Sequence, residues 1–325
     1  MSKLKCILIA ILFCSTAAFA QFGPSQKVGV ISLIPGVGNN SNPTADNFTK
    51  LPDGRSLSSI SVKGSELTLA RGMGEPFKAS EEADYRSLKK ATQTNPDHKV
   101  QWVFMNLDTH EVIDKSLSAD RKSFGASSSK IFVAGALLDK QKGKLSDEQL
   151  QLMANMLVIS SNEAWMELQS QIGDGDSNKG RELVQKFTQR MGYRNTRGFQ
   201  GRWGDIHGNE LTAADSVQFL YDIYHNAFPG ADIEWKLMYT CRTGASRGRK
   251  YIPENIYVGG KTGTYDGETD NPETGKRYDV SVRNHLLIFN IDGFQLGLAI
   301  LANSGTSESA ALLAGGLIRE HTSVK

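Results

Sequence analysis

Apolar and polar positions along the chain predict strands towards both ends and helices in the middle. In chain order they predict a helix over Ser80–Thr92, strands over Val100–Asn106 and Glu111–Lys115, helices over Ile131–Lys140, from Ser146 to about Ile159, over Glu182–Met191 and over Thr212–His225, strands over Val258–Thr264, Val280–Asn290 and Phe294–Ala302, and a closing helix over Thr306–His321. This order indicates an α+β fold, in which both ends of the chain contribute to one antiparallel sheet and the central helices form an inserted lobe.

A polar stretch, Asp266–Arg277, separates two of the predicted strands, and we interpret it as a long hairpin loop. It forms either a lip over a site or ordinary surface. A cleft between the sheet and the helical lobe is the natural place for such a site.

The first twenty residues have the pattern of a secretory signal peptide. Lys3 and Lys5 supply the positive start, Ile7–Phe13 is a short apolar core, and Ala18–Ala20 offers small residues for cleavage. The core is too short to span a bilayer, which needs about 20 apolar residues. We expect cleavage after Ala20 and an exported protein, periplasmic or secreted, without stable membrane insertion; bulky residues before Cys14 disfavour a lipoprotein.

Residues 21–78 differ from the rest of the chain, being rich in Gly, Ser, Asn and Pro. We interpret them as a partly ordered N-terminal extension with one predicted strand over Val28–Val37. Loss of the signal segment takes the formal net charge from +2 to 0, which gives no reason to expect a nucleic-acid or anionic-membrane partner. It also leaves Cys241 as the single cysteine, more typical of a small buried residue than of a reactive thiol.

Ser127 and Lys130 form an S-x-x-K pattern at the start of an apolar helix. Ser2–Lys5 and Ser87–Lys90 fit the same pattern, and we regard both as accidents. Side chains at i and i+3 lie on one face of a helix. A lysine can take the proton of a serine hydroxyl only when its pKa is lowered, and burial at a helix N-terminus acts in that direction. The alternative is a serine that simply caps the helix.

Ser160 and Asn162 follow 33 and 35 residues after Ser127, a separation that suits a helical hairpin returning to its start. A Ser160 hydroxyl placed there could relay protons between Lys130 and a leaving nitrogen, and the Asn162 amide could hold a substrate carbonyl. Taken alone, the segment also fits a helix-capping turn.

Lys261-Thr262-Gly263-Thr264 lies on a predicted strand. The first two side chains can bind a substrate carboxylate, and Gly263 allows close approach of a substrate backbone. The amides of Ser127 and Thr264 are candidates for an oxyanion hole.

In this order, the three motifs resemble those of the penicillin-recognising serine hydrolases, and most closely the class A β-lactamase family. The resemblance spans roughly residues 80–320 and includes Thr243-Gly244-Ala245 and the run from Arg249 to Pro253. It implies an α/β sandwich with an all-helical lobe, an active site between them, and an acyl-enzyme mechanism without metal or organic cofactor. We therefore expect a hydrolase domain over 79–325 with its helical lobe at about 127–240.

The chain also departs from that family. Ser161 stands where the second motif usually has Asp, and the segment between the first two motifs is short. The family's deacylating glutamate would fall in the stretch Asn195–Gln200, which has no acidic residue. Asp205 and Glu210 are nearby but at the wrong offset, and Glu163 is expected to face solvent.

These departures leave several functions open. One is a β-lactamase-like hydrolase or a D-Ala-D-Ala-type peptidase acting on a small β-lactam or a peptidoglycan peptide, expected as a monomer. A second is a serine esterase or amidase with another substrate, and a third is a slowly deacylating penicillin-binding sensor. Arg247 and Arg283 are possible carboxylate binders, although surface arginines are the commoner case. The six scattered histidines form no zinc motif.

Overall fold

The computed structural model describes residues 50–57, 67–197, 209–270, 275–303 and 305–324. The predicted signal peptide, its cleavage site and the predicted strand Val28–Val37 lie outside these ranges. Within them the longest helix has 16 residues, and no helix is long and apolar enough to cross a membrane.

The described ranges contain the helices and strands predicted from residue 80 onwards, in the predicted order, together with some that were not predicted. The helices are α1 (Ala79–Thr94), α2 (Lys130–Lys140), α3 (Asp147–Val158), α4 (Asn162–Ile172), α5 (Ser177–Arg190), α6 (Ala213–Tyr224), α7 (Ala231–Met238) and α8 (Ser307–His321). The strands are β1 (Val100–Asn106), β2 (Glu111–Lys115), β3 (Ser123–Phe124), β4 (Glu210–Leu211), β5 (Val258–Asp270), β6 (Arg277–Ile291) and β7 (Phe294–Ala302). A short 3-10 helix over Ala126–Ser129 directly precedes α2.

Five of these strands form one antiparallel sheet in the order β2-β1-β7-β6-β5. β1 from the start of the folded part pairs with β7 near its end, with Val103 opposite Ala299. The expected α+β fold, a sheet built from both ends of the chain, is therefore confirmed. β5, which carries the Lys261 motif, lies at one edge of the sheet.

The sheet has an apolar core on each face. Successive side chains of a strand point to opposite faces, so Trp102 and Phe104 of β1 belong to the core beneath α1 and α8, while Val103 and Met105 belong to the core shared with the helical lobe. This continuous burial on both sides explains why β1 is apolar at nearly every position.

The predicted hairpin loop over Asp266–Arg277 is wrong for half of its length. β5 continues to Asp270 and β6 begins at Arg277, and these two residues pair across the ribbon. Ion pairs between neighbouring strands, Arg283 with Asp266 and Arg277 with Glu268, each at 2.8 Å, accompany the pairing. Because these side chains are polar and exposed on one face, the segment lacks the apolar alternation that would have predicted a strand.

Three helices also differ from the prediction. α5 begins at Ser177, five residues before the predicted start, because the Asp176 side chain caps it by accepting hydrogen bonds from the amides of Asn178 and Lys179. α4 and the eight-residue helix α7 were not predicted. Gly230 at the start of α7 has a left-handed conformation, which is typical of a turn.

Part of the N-terminal extension packs on the helical lobe. Leu51 and Leu57 are buried, and the Trp235 indole N–H of α7 donates a hydrogen bond to Asp53 at 2.9 Å. The Arg55 guanidinium lies over the Trp235 ring at 5.5 Å and forms an ion pair with Asp53. This segment therefore adds apolar contacts to α7 that the rest of the domain does not supply.

Candidate active site

Ser127 lies in the 3-10 helix that joins β3 to α2. It was predicted at the start of the α-helix, but the α-helix itself begins three residues later, at Lys130. Side chains at i and i+3 eclipse one another in a 3-10 helix, so Ser127 and Lys130 are stacked on one side of the turn. The backbone N–H of Lys130 also donates to the Ser127 carbonyl. Ala126, directly before Ser127, has a left-handed conformation with φ 45°, rare for a residue with a side chain.

The three consecutive serines of this turn have different environments. Ser128 and Ser129 are fully buried, and their hydroxyls donate to the carbonyls of Gly125 and Ala126. Ser127 is half-buried. It is therefore the serine of the three that a substrate can reach.

The side chain of Lys130 is buried and reaches the loop between α3 and α4. Its Nζ donates to the Ser160 carbonyl oxygen and to Asn162 Oδ1, both at 2.7 Å, and lies 3.5 Å from the Ser160 hydroxyl. The α2–α3 hairpin thus brings the second motif back to the first. Ser160 has a left-handed φ of 64°, a second rare conformation at this site.

Lys261 of β5 approaches the same hydroxyl from the other side. Its Nζ donates to Ser160 Oγ at 2.8 Å and to the Thr262 carbonyl oxygen at 2.9 Å. Ser160 Oγ therefore lies between the two lysines, and the structure brings Lys130, Ser160, Asn162 and Lys261 into one cluster.

Both lysines have a lowered pKa. Burial lowers the pKa of Lys130 well below its usual value, and the charge of Lys261 lowers it further, while Glu163 acts in the opposite direction. Burial lowers the pKa of Lys261 to about 8, with a smaller contribution from the charge of Arg247. Desolvation disfavours the charged form of an amine, so both lysines give up a proton more readily than an exposed lysine does.

Gly263 is in close contact with the turn that carries Ser127, whereas we expected from the sequence that it would leave room for a substrate backbone. A Cβ at this position would lie 2.6 Å from the Gly125 carbonyl oxygen and 2.9 Å from the Ser128 amide nitrogen. The glycine therefore allows β5 to pack directly on the turn that carries Ser127.

Asn284 holds the same turn from β6, and sequence reasoning missed it. Its side-chain amide donates to the carbonyls of Phe124 and Gly125, each at 3.0 Å, and its Oδ1 accepts from the Ala302 amide at 3.0 Å. Asn284 is fully buried. No local pattern could have identified it, because its partners are about 160 positions away in the chain.

Thr262 and Thr264 lie in different environments on β5. Thr262 is 5% exposed, and its hydroxyl is 2.6 Å from that of Thr243. Thr264 is exposed, and its hydroxyl accepts a hydrogen bond from Arg247.

The two arginines near this strand have different roles. Arg247 is half-buried and also donates to the Gly263 carbonyl oxygen at 3.0 Å, so it lies against the motif rather than on open surface. Arg283 forms a bidentate ion pair with Asp266, with N–O distances of 2.8 and 3.0 Å. Of the two, Arg247 is therefore the better candidate to bind a carboxylate.

The serine in the middle of the second motif caps a helix. Ser161 Oγ accepts a hydrogen bond from the Ala164 amide at the start of α4, which either Ser or Asp can do. It also donates to Glu163, which is exposed as expected. This departure from the family pattern therefore preserves the local structure.

The stretch expected to hold a deacylating acid is partly described. The Thr196 hydroxyl donates to Asp215 at 3.0 Å, and Arg197 forms an ion pair with Glu210 at 3.0 Å. Glu210 is therefore neutralised by a neighbouring cation. Residues 198–208, which include Asp205, lie outside the described ranges.

One group of side chains in the described ranges has the composition of a metal site, on the far side of the sheet. It consists of Asp114, Glu320 and His321. The Lys89 ammonium forms ion pairs with both carboxylates, at 2.7 Å to Asp114 and 2.6 Å to Glu320. It therefore occupies the place where a metal ion would have to contact them. The group is therefore a structural ion-pair cluster.

No protein-family model and no curated protein matches the chain by sequence. Solved structures do match it. A β-lactamase from Chitinophaga pinensis is 16% identical with a TM-score of 0.56, covering 72% of this chain and 96% of its own. A class A β-lactamase from Bacteroides cellulosilyticus is 16% identical with a TM-score of 0.54 (74% and 95%), and a β-lactamase from Desulfarculus baarsii is 19% identical with a TM-score of 0.57 (74% and 97%). The chain therefore has the fold of the class A β-lactamases.

Proposed function

We propose that this protein is an exported serine hydrolase that cleaves an amide, in a β-lactam or a D-Ala-D-Ala-type peptide, through an acyl-enzyme on Ser127. One observation carries the proposal: a buried lysine one turn from a half-exposed serine, with its ammonium position held by two oxygen acceptors. The β-lactamase-like fold supports it.

The hydrogen bonds of Lys130 fit a neutral amine. Such a group has two N–H donors and one lone pair. The donors match the two acceptors at 2.7 Å, the Ser160 carbonyl and Asn162 Oδ1, whereas the Ser160 hydroxyl is farther away, at 3.5 Å. The lone pair remains to accept the proton of Ser127 as its Oγ attacks the substrate carbonyl carbon. The amides of Ser127 and Thr264 then stabilise the oxyanion.

Ser160 completes the proton transfer. Its hydroxyl accepts from Lys261, so its own proton is free to pass to the leaving nitrogen while it recovers a proton from Lys130. The C–N bond breaks and leaves the acyl group on Ser127. Lys261, which is fully buried, acts on a substrate carboxylate by its charge, and Thr262 presents the hydroxyl that contacts it.

A second candidate function is a slowly deacylating penicillin-binding sensor. It is favoured by the lack of an acidic residue in Asn195–Gln200 and by the ion pair that neutralises Glu210. Acylation would proceed as above, but the acyl group would persist on Ser127.

A mass-spectrometric time course with benzylpenicillin tests both functions. We expect one covalent adduct, lost in Ser127→Ala and retained in Ser87→Ala, which removes the serine of an exposed S-x-x-K pattern on α1. Decay of the adduct within seconds indicates a hydrolase, and persistence for hours indicates a sensor. No adduct with β-lactams or D-Ala-D-Ala peptides, together with labelling of Ser127 by a fluorophosphonate, would instead identify an esterase or amidase.

A further inference from the structure

Three side chains, those of Cys241, Thr243 and Thr262, are joined in series by hydrogen bonds. Cys241 Sγ is 3.2 Å from Thr243 Oγ1, and Thr243 Oγ1 is 2.6 Å from Thr262 Oγ1. Cys241 is 2% exposed, so the series begins in the interior and ends at the K-T-G motif.

Each of these groups has a single proton, and this restricts the direction of the bonds. A carboxylate accepts hydrogen bonds and donates none. If Thr262 donates its proton to a carboxylate, its oxygen must accept the proton of Thr243. Thr243 then accepts from the weaker S–H donor of Cys241. In the reverse direction Thr262 would donate into the protein, and the ligand would meet only its lone pairs.

The loop that carries Thr243 is fixed against the sheet. Gly244 has a left-handed φ of 88°, and a Cβ there would lie 2.5 Å from His285 Cε1 and 2.9 Å from Thr262 Cγ2. The Gly248 amide donates to His285 Nδ1 at 3.1 Å. Thr243 is therefore held at a defined distance from Thr262.

We propose that Thr243 is a positioning residue that directs the Thr262 proton towards a substrate carboxylate. Cys241 is the first donor in this series of hydrogen bonds. This rests on the function proposed above. It assigns to Cys241 a role in substrate recognition from a position that the substrate does not touch. Hydrogen bonds to a charged acceptor are the stronger ones, so the effect is expected mainly for substrates with a free carboxylate.

The test compares benzylpenicillin with its methyl ester, which keeps the β-lactam and lacks the charge. The measured quantity is the second-order rate constant of acylation of the full-length chain, obtained by mass spectrometry. Thr243→Val is expected to lower this constant about tenfold for the acid and less than about twofold for the ester. Thr243→Ser, which keeps the hydroxyl, is expected to restore it. Cys241→Ala should lower the constant for the acid about twofold, because a thiol is a weak donor, and Cys241→Ser should not.

Thermal unfolding of each variant identifies a folding defect, which would lower the constant for both substrates together. Equal losses for acid and ester, or no loss for either in Thr243→Val, would overturn the proposal while leaving the proposed function intact. A wild-type chain that is acylated neither by these two substrates nor by a D-Ala-D-Ala peptide would overturn both.

Discussion

At the scale of single residues, the site depends on two buried lysines that share one hydroxyl. Lys130 and Lys261 both contact Ser160 Oγ, and burial lowers the pKa of each. Two neighbouring amines cannot both be charged without mutual repulsion. This repulsion favours a state in which only one of the two amines is charged, and the two titrate as a coupled pair. In the function proposed above, Lys130 is the neutral member of the pair.

This arrangement predicts a loss of activity at alkaline pH for anionic substrates. Because the pKa of Lys261 is about 8, the positive charge beneath the carboxylate site disappears as the pH rises above that value. We expect kcat/KM for benzylpenicillin to fall about tenfold per pH unit beyond it, with little change for the methyl ester. Rates measured from pH 6 to 9.5 check this, and parallel falls for both substrates would exclude Lys261 as the cause.

At the scale of elements, helix caps and close packing place the motifs. Ser161 caps α4, which directs Asn162 towards Lys130, and Gly263 lets β5 pack on the turn that holds Ser127. α3 begins with a capping box, in which the Ser146 side chain accepts from the Gln149 amide and the Gln149 side chain accepts from the Ser146 amide. The hairpin of α2 and α3 returns Ser160 to Lys130.

The cap on α4 can be tested by substitution. Ser161→Ala removes the acceptor for the Ala164 amide and should reduce the free energy of unfolding by about 1 kcal/mol. Ser161→Asp retains an acceptor and should remain close to the wild type. Urea unfolding measures both, and equal losses would show that capping is not the role of Ser161.

α7 contains a buried acid. Glu234 is completely buried, neither of its carboxyl oxygens has a hydrogen-bond partner among the residues that the structure describes, and burial raises its pKa well above the usual value. A raised pKa in the folded state contributes stability below the unfolded-state pKa, near 4.5, and this contribution is lost as the pH rises through the folded-state value. Glu234 therefore lowers the free energy of unfolding more at pH 7 than at pH 4.

Glu234→Met should accordingly stabilise the fold. Replacing the unpaired carboxyl by an apolar group of similar length should raise the free energy of unfolding by about 1–3 kcal/mol at pH 7. The gain should be smaller at pH 4, where the acid is protonated in both states. Urea unfolding across this pH range tests it, and a gain that does not depend on pH would contradict the assignment.

At the scale of the whole molecule, the fold consists of a sheet between two apolar cores, with the N-terminal segment added outside the helical lobe. Leu51 belongs to the core shared by the sheet and the lobe, although it lies 28 positions before α1. The extension therefore supplies an apolar side chain to the core of the domain that follows it in the sequence.

Truncating this side chain should destabilise the domain. Leu51→Ala should lower the free energy of unfolding by about 2–4 kcal/mol, because it removes buried methyl groups and leaves a cavity. The matched control is Leu117→Ala, since Leu117 is 57% exposed; its effect should stay within about 0.5 kcal/mol. Equal effects in thermal or urea unfolding would show that the extension does not stabilise the domain.

The sequence alone determined the elements whose signals are local. β1, β2 and β7 have the predicted bounds, and the caps of α3, α6 and α8 lie at or beside the predicted residues. Apolar periodicity and capping depend on neighbours a few positions away, which the sequence displays directly. The polar ribbon of β5 and β6 was missed because its strands have no buried alternation.

Only the tertiary structure decided which residues meet. The sequence singled out one of three copies of S-x-x-K, and the structure adds the contacts of Lys130 with Ser160 and Asn162. Asn284 and the hydrogen bonds from Cys241 to Thr262 have no sequence signature, because each side chain acts on partners brought close by the sheet and its loops. Arg247 and Arg283 were equivalent in sequence, and only their contacts separate them. Burial, which lowers the pKa of Lys130 and Lys261, is also a property of the packed molecule and not of the order of its residues.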